Sequence, residues 1–196
     1  MRIFAEKFLK TMGRDGRGDA WKHRQWKEGG IWGNKRKFSP RKLADEPQFK
    51  FDDVFITPLR LRRHYADDGT VSYTEFERKM EPTGIRIFDA YLHYLTDGNS
   101  DLQVFADRHG LRVDDIDSLV FVLTGMRGVD FRQKYQVRIA NQLLRYTDMT
   151  VAEVAKRSGI GSANNLYLTY KREYNLAPGY RRQRIRQPGD LGRFKL

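Results

Sequence analysis

A chain of 196 residues with 39% hydrophobic content is long enough for one fair-sized domain or two small ones, each with a core. Having no cysteine, it carries neither a disulfide scaffold nor a thiolate metal site, and its net charge of +12 suits a polyanionic partner, although an acidic protein would serve as well. No run of 18 apolar residues and no secretory pattern are present, so the sequence predicts a soluble protein without a membrane span, placed in the cytoplasm.

The charge is concentrated at the two ends. Residues 1–42 hold 13 Lys/Arg against 4 Asp/Glu (net +9) and residues 181–196 hold 6 against 1 (net +5), while the stretch between is close to neutral. Flexible basic ends of this kind bind polyanions without sequence preference. Within the first end, Ile3–Met12 is a short helix candidate. The glycine run from Gly13 lacks the lysine and hydroxyl residue of a phosphate-cradling loop, and no nucleotide site is assigned. Trp21, Trp26 and Trp32, interleaved with Lys22, Arg24 and Lys27, either stack on unpaired bases or anchor this arm on the folded body.

From Gln48 to Met80 the pattern changes. Phe49, Phe51, Val54, Phe55 and Ile56 form an apolar run that Pro58 breaks, suggesting a separate or edge strand. Asp67-Asp68-Gly69 then supplies turn chemistry between Leu59–Tyr65 and the alternating Val71, Tyr73 and Phe76, which predicts a β-hairpin with room for a third short strand. A helix restarts at Thr83, with Ile85, Phe88, Tyr91, Leu92 and Leu95 on its apolar face, and ends at Gly98.

The most informative stretch is Thr147–Arg182. Thr150 is a predicted N-cap with Glu153 at the capping-box position, followed by Val151, Val154 and Ala155 on one helical face. After a turn at Gly159, Ile160, Leu166 and Tyr170 space the apolar stripe of a second helix, which Pro178-Gly179 closes before a short third one. Two helices joined by a glycine-containing turn are either a helix-turn-helix, whose second helix enters the major groove, or an ordinary helical hairpin. On the first reading Ser162, Asn164 and Asn165 stand where bases are read, and Lys171, Arg172, Arg181 and Arg182 are candidate phosphate contacts.

The run A-x2-S-G-I-x5-L-x3-Y-K-x6-P-x-Y-R, Ala155 to Arg181, resembles the signature of the AraC/XylS-type transcriptional regulators. Ala155, Gly159, Lys171, Pro178, Tyr180 and Arg181 match it. Asn175 stands where glycine is usual, a mild departure because Asn tolerates a left-handed backbone, and the gap from proline to tyrosine is one residue shorter. The resemblance extends over about residues 83–182 and implies two helix-turn-helix units bridged by one long helix. Ser100 would cap the first helix of the first unit, Ile116, Leu119 and Val120 would be buried on its recognition helix, and Phe131, Tyr135, Ala140, Leu143 and Leu144 would line the bridge.

Departures from the family pattern gather in the first unit. Asp114, Asp115 and Asp117 replace polar or basic residues at the start of its recognition helix, and Phe121, Val122 and Leu123 take positions commonly exposed and polar; Gln136 replaces an arginine of the bridge. Carboxylates there would repel phosphates, so this unit is expected to have lost base reading. Phe121 and Val122 then either form a protein interface with the hairpin, a second copy or a transcription partner, or complete an enlarged core.

The expected architecture is mainly α: a basic Gly/Trp-rich arm at 1–42, a β-hairpin region at 43–82, a double helix-turn-helix domain at 83–184 and a basic tail at 185–196. The expected function is that of a bacterial, sequence-specific regulator of double-stranded DNA. An interaction adaptor using the same fold and a single-strand binder using the arm remain as alternatives. Residues 43–82 are too few for the family's usual sensing barrel, so no small-molecule effector is expected. His23, His64, His93 and His109 have no metal-ligand spacing and no nucleophile-histidine-acid order occurs, so no catalysis, metal or cofactor is expected.

Overall fold

A computed structural model describes residues 46–75 and 81–196, and every structural statement below concerns these residues. The helix candidate Ile3–Met12, the tryptophan-rich arm and Phe76 lie outside them. The elements run α1 (Phe51–Val54), β1 (Leu61–Tyr65), β2 (Val71–Glu75), α2 (Arg86–Thr96), α3 (Leu102–His109), α4 (Val113–Thr124), α5 (Gly128–Tyr146), α6 (Val151–Arg157), α7 (Ala163–Tyr174), α8 (Pro178–Ile185) and β3 (Phe194–Lys195). The fold is mainly helical with one small antiparallel sheet. No helix among the described residues is long and apolar enough to cross a membrane.

One apolar cluster runs through both helical pairs. Phe88, Phe105, Val120, Phe131, Ile139, Leu143 and Leu144 from α2–α5 and Val154, Leu166 and Tyr170 from α6 and α7 are all within 1% of full burial. The 19-residue α5 is the spine: Phe131, Tyr135, Ile139 and Leu143 recur every fourth residue and bring α2, α4, α6 and α8 against one helix.

The apolar run before Pro58 is not a strand. Its Phe-Asp-Asp-Val stretch closes a single helical turn, with Asp53 accepting the Lys50 amide, and Phe51 and Val54 drop into the core while Phe51 meets Phe131 and Tyr135 edge-on. Past this turn the Ile56 amide donates to the Tyr135 hydroxyl at 3.0 Å, and that hydroxyl lies 2.8 Å from the Thr96 hydroxyl in a fully enclosed setting. Burial pushes the Tyr135 phenol up to about 12. Tyr135→Phe strands the Ile56 amide without an acceptor and is expected to cost about 1.5 kcal/mol in urea denaturation, whereas the same change at exposed Tyr180 leaves the midpoint unmoved.

The expected hairpin forms, with Leu61 opposite Glu75 and Tyr65 opposite Val71, Gly69 at φ 80° in the turn and Asp68 holding the Thr70 amide and hydroxyl. Its third strand comes from the far end of the chain. β3 lies antiparallel to β1, Arg62 opposite Phe194, giving the order β2-β1-β3. This corrects the expectation of a flexible basic tail. Asp190 is 2% exposed and accepts from Arg145 Nε at 2.7 Å and from the Gln187 amide at 2.8 Å, Phe194 packs edge-on against Tyr146, and Arg186 donates to the carbonyls of Leu144 and Arg145. Those carbonyls close α5, where a cation is favoured.

α2 begins at Arg86 rather than Thr83. Thr83 stays outside and ties its amide and hydroxyl to Asp89 in the first turn. α3 is capped by Asp101, not Ser100, the carboxylate accepting the amides of Gln103 and Val104. After α2 the chain turns at Gly98, φ 82°, where a Cβ would stand 2.4 Å from the Arg157 carbonyl oxygen. A Cβ on Gly159 would in turn stand 3.0 Å from the Gly98 carbonyl oxygen, so the end of α2 touches the turn between α6 and α7 backbone to backbone.

Candidate nucleic-acid interface

Local rules build the second helical pair. Thr150 and Glu153 make the expected reciprocal cap of α6, and both Thr150 groups hold the Glu153 carboxyl below its ordinary range. The chain reverses through Gly159 at φ 77° and Gly161 at φ 95°, and the Gly161 amide returns to the Ala155 carbonyl. Ser162 caps α7 by accepting the Asn165 amide at 3.1 Å. At the other end Asn175 adopts φ 54°, the left-handed conformation that its substitution for glycine requires.

The buried side of α7 is fastened to α5. Leu166 and Tyr170 are fully enclosed; the Tyr170 hydroxyl donates to Asn141 Oδ1 at 3.1 Å, Asn141 Nδ2 donates to the Tyr174 hydroxyl at 2.6 Å, and Gln133 donates to Glu173 at 2.7 Å. Burial raises the Tyr170 phenol far above its usual range, so it titrates nowhere near neutrality. Gln136 donates to the Gly159 carbonyl at 2.9 Å, tying the turn to α5 as well. Asn164, Asn165, Tyr167, Leu168, Lys171 and Arg172 are left exposed on α7, together with Ala163 at its start and Glu173 near its end.

Of the residues singled out in the sequence, Ser162, Asn164 and Asn165 come together at the exposed start of α7. The Asn164 side chain makes no hydrogen bond among the described residues, and the Asn165 side chain makes only a marginal 3.5 Å contact from Nδ2 to the Ile160 carbonyl. Ser162 is already engaged as the cap. Lys171 and Arg172 flank the same face, Lys171 lying 5.7 Å over the Tyr167 ring and Arg172 reaching Glu173 at 3.4 Å. Arg181 stacks on Tyr174 at 4.2 Å. Arg182 turns inward instead: its guanidinium donates to the Met149 carbonyl, its Nε is buried without a partner among the described residues, and burial lowers its pKa. Its place is structural, tying α8 to the segment before α6.

Sequence periodicity left Tyr167 and Leu168 unassigned, yet they are 43% and 57% exposed on this helix. Their signal was available, since both fall off the Leu166–Tyr170 stripe.

The first pair presents different chemistry. Asp115 caps α4 and pairs with Arg112 at 2.9 Å, Asp114 is exposed, and Asp117 is held above its ordinary carboxyl range by burial beside Gly128, with Asp114 adding to the rise and Arg132 opposing it. Val122 is 61% exposed and Phe121 half-buried. Leu123, at a position commonly exposed in the family but expected to be covered here, is buried, and its carbonyl accepts the Phe49 amide at 2.9 Å. The segment ahead of the hairpin therefore covers this edge of α4. Among the described residues no group of His, Cys, Asp or Glu is arranged to hold a metal ion.

No family model and no curated protein matches this chain. Several solved structures are similar to it. The C-terminal domain of the two-component response regulator YesN from Fusobacterium nucleatum is 21% identical, over 50% of this chain and 94% of that one, with a TM-score of 0.44. The DNA-binding domain of the transcriptional factor AdpA, solved with a target DNA, is 25% identical over 50% of this chain and 88% of its own, with a TM-score of 0.44. A transcriptional regulator from Chromobacterium violaceum, described as carrying an AraC-type DNA-binding domain, is 19% identical over 51% of this chain and 98% of that one, with a TM-score of 0.38. The AdpA domain is described as DNA-binding, and the Chromobacterium violaceum protein as carrying an AraC-type DNA-binding domain.

Proposed function

We propose that this chain is a sequence-specific regulator of transcription that binds double-stranded DNA and reads bases with the second helix-turn-helix alone. The observation that carries the reading is the division of α7: one side is locked to α5 by three side-chain hydrogen bonds, and the other offers two unencumbered amides followed by two cations. A helix held this rigidly presents its donors and acceptors without an ordering cost on binding. Asparagine amides match the N6 and N7 edge of adenine, and Lys171 and Arg172 lie about two turns on, where phosphates flank the groove. The first pair, with Asp114 exposed and Asp117 nearby, would repel the duplex. Residues 83–184 would form the DNA-binding domain, acting in the bacterial cytoplasm.

A second reading, an adaptor that docks a protein, rests on the 61% exposure of Val122 beside half-buried Phe121 on α4. Selection of duplexes from a random pool at near-physiological salt separates the two. DNA reading predicts one enriched motif spanning a single major-groove face, with affinity for it falling about 100-fold in the double variant Asn164→Ala, Asn165→Ala while binding to unrelated duplexes is unchanged, each lost base contact contributing about tenfold. An enriched motif that survives the double change would remove α7 from the reading; recovery of sequences without a shared motif would leave the adaptor.

A further inference from the structure

The outward face of α7 carries an apolar group that polar base reading leaves unused. Leu168 is 57% exposed although Leu166 and Tyr170 already bury the helix. It stands one turn after Asn164 and one turn before Arg172, so amide, leucine and guanidinium lie in one row, with Lys171 alongside. An isolated exposed leucine needs no explanation. A leucine set between a free amide and two cations does, because that row complements a duplex: the cations meet phosphates, the amide meets a base edge, and the apolar group lies between them. The major groove offers one apolar feature at that depth, the C5-methyl of thymine.

We infer that Leu168 contacts a thymine methyl and that this contact, with Asn164 on adenine, biases the recognised site toward A·T pairs. The inference rests on the DNA reading proposed above. Four residues of helix rise about 6 Å, and base pairs stack about 3.4 Å apart, so Asn164 and Leu168 address pairs within about two steps of each other. Leu168 also lines a groove of about 360 Å³ between α5 and α7 with Val129 and Arg132, and is still 57% exposed.

The test uses the full chain and its selected duplex, with each thymine replaced in turn by deoxyuridine, which removes the methyl and leaves the pairing edge intact. The expected result is one position at which the wild type binds about fourfold more weakly, the fold-change of one buried methyl at about 0.8 kcal/mol, and at which Leu168→Ala shows no further loss. Leu168→Met keeps the methyl dependence. The inference is overturned if every deoxyuridine duplex binds the wild type unchanged, if the loss is the same size in Leu168→Ala, or if the motif holds no thymine. Equal weakening of all duplexes by Leu168→Ala would instead assign the leucine to the α5–α7 groove. Failure to select any motif overturns the DNA reading itself, a result distinct from a motif without methyl dependence.

Discussion

Gly98→Ala is expected to destabilise the fold by about 3 to 4 kcal/mol, measured as a shift of the urea midpoint at constant slope. Two independent costs combine. The residue sits at φ 82°, where an alanine is strained by about 1 to 2 kcal/mol, and its Cβ would stand 2.4 Å from the Arg157 carbonyl oxygen and 3.1 Å from the carbonyl carbon. Both neighbours are backbone, so no rotamer change relieves the overlap; α6 must move away from the end of α2, at a cost of about 1 to 3 kcal/mol. Gly84 separates the terms, because it shares the conformation at φ 80° but has nothing within 4 Å of its would-be Cβ. Gly84→Ala should cost only about 1 kcal/mol. Equal effects at the two positions would show that the close approach does not exist.

Asp190→Ala should cost about 3 kcal/mol. The carboxylate is 2% exposed and accepts from both Arg145 and the Gln187 amide, so its removal leaves one buried amide and a guanidinium, about one-third exposed, without their acceptor. Loss of one partner from a wholly buried pair costs about 3 to 5 kcal/mol, and the partial exposure of Arg145 places this case at the lower end. Burial pushes the Asp190 carboxyl up, but Arg145 and the Gln187 amide outweigh it and hold it below the ordinary range. A depressed carboxyl stabilises the fold above its unfolded pKa, near 4, and that contribution disappears as pH falls through the lower folded value. The gap between wild type and variant should therefore be constant from pH 5 to 8 and close below about pH 4. A gap of the same size at pH 3 would mean that the carboxylate acts through packing alone.

How much of this was legible in the sequence depends on whether the deciding partner was local. The Thr150–Glu153 cap, the Asp67–Gly69 turn and the left-handed Asn175 were readable because each is settled within a few residues. The stripe Leu166–Tyr170 gave the buried side of α7 by period alone, and with it the exposure of Asn164 and Asn165. Failures came where distant groups decide. Phe49–Ile56 is an apolar run that reads as a strand, yet finds no strand partner and folds into one helical turn over Phe131 and Tyr135. Arg182 looks like any basic residue of a tail until Met149 is known to lie beneath it. Phe194–Lys195 is too short to carry a period, and although the sequence predicts a cover over Leu123, that it is the Phe49 segment could not be read from α4. Ser100 and Asp101 are both competent caps, and only the backbone at the second selects between them.

The sheet also fixes an order of assembly. β1 and β2 meet across five residues of turn and can pair on the microsecond scale of a hairpin, but β1 cannot find β3 until residue 194 has been brought to residue 62. Closing so long a loop before α5 exists to offer Arg145 to Asp190 and Tyr146 to Phe194 would spend chain entropy with no contact in return. The hairpin's inner edge, with the Arg60 and Arg63 amides that later donate to Lys195 and Arg193, thus stays open through most of folding. During that interval it is an unpaired strand edge, and a second nascent chain is the competitor for it. The ties of residues 186–190 to the end of α5, from Arg186 to the Leu144 and Arg145 carbonyls and from Arg145 to Asp190, work against that exchange by raising the local concentration of β3 at its own edge, a kinetic safeguard rather than a contribution to recognition.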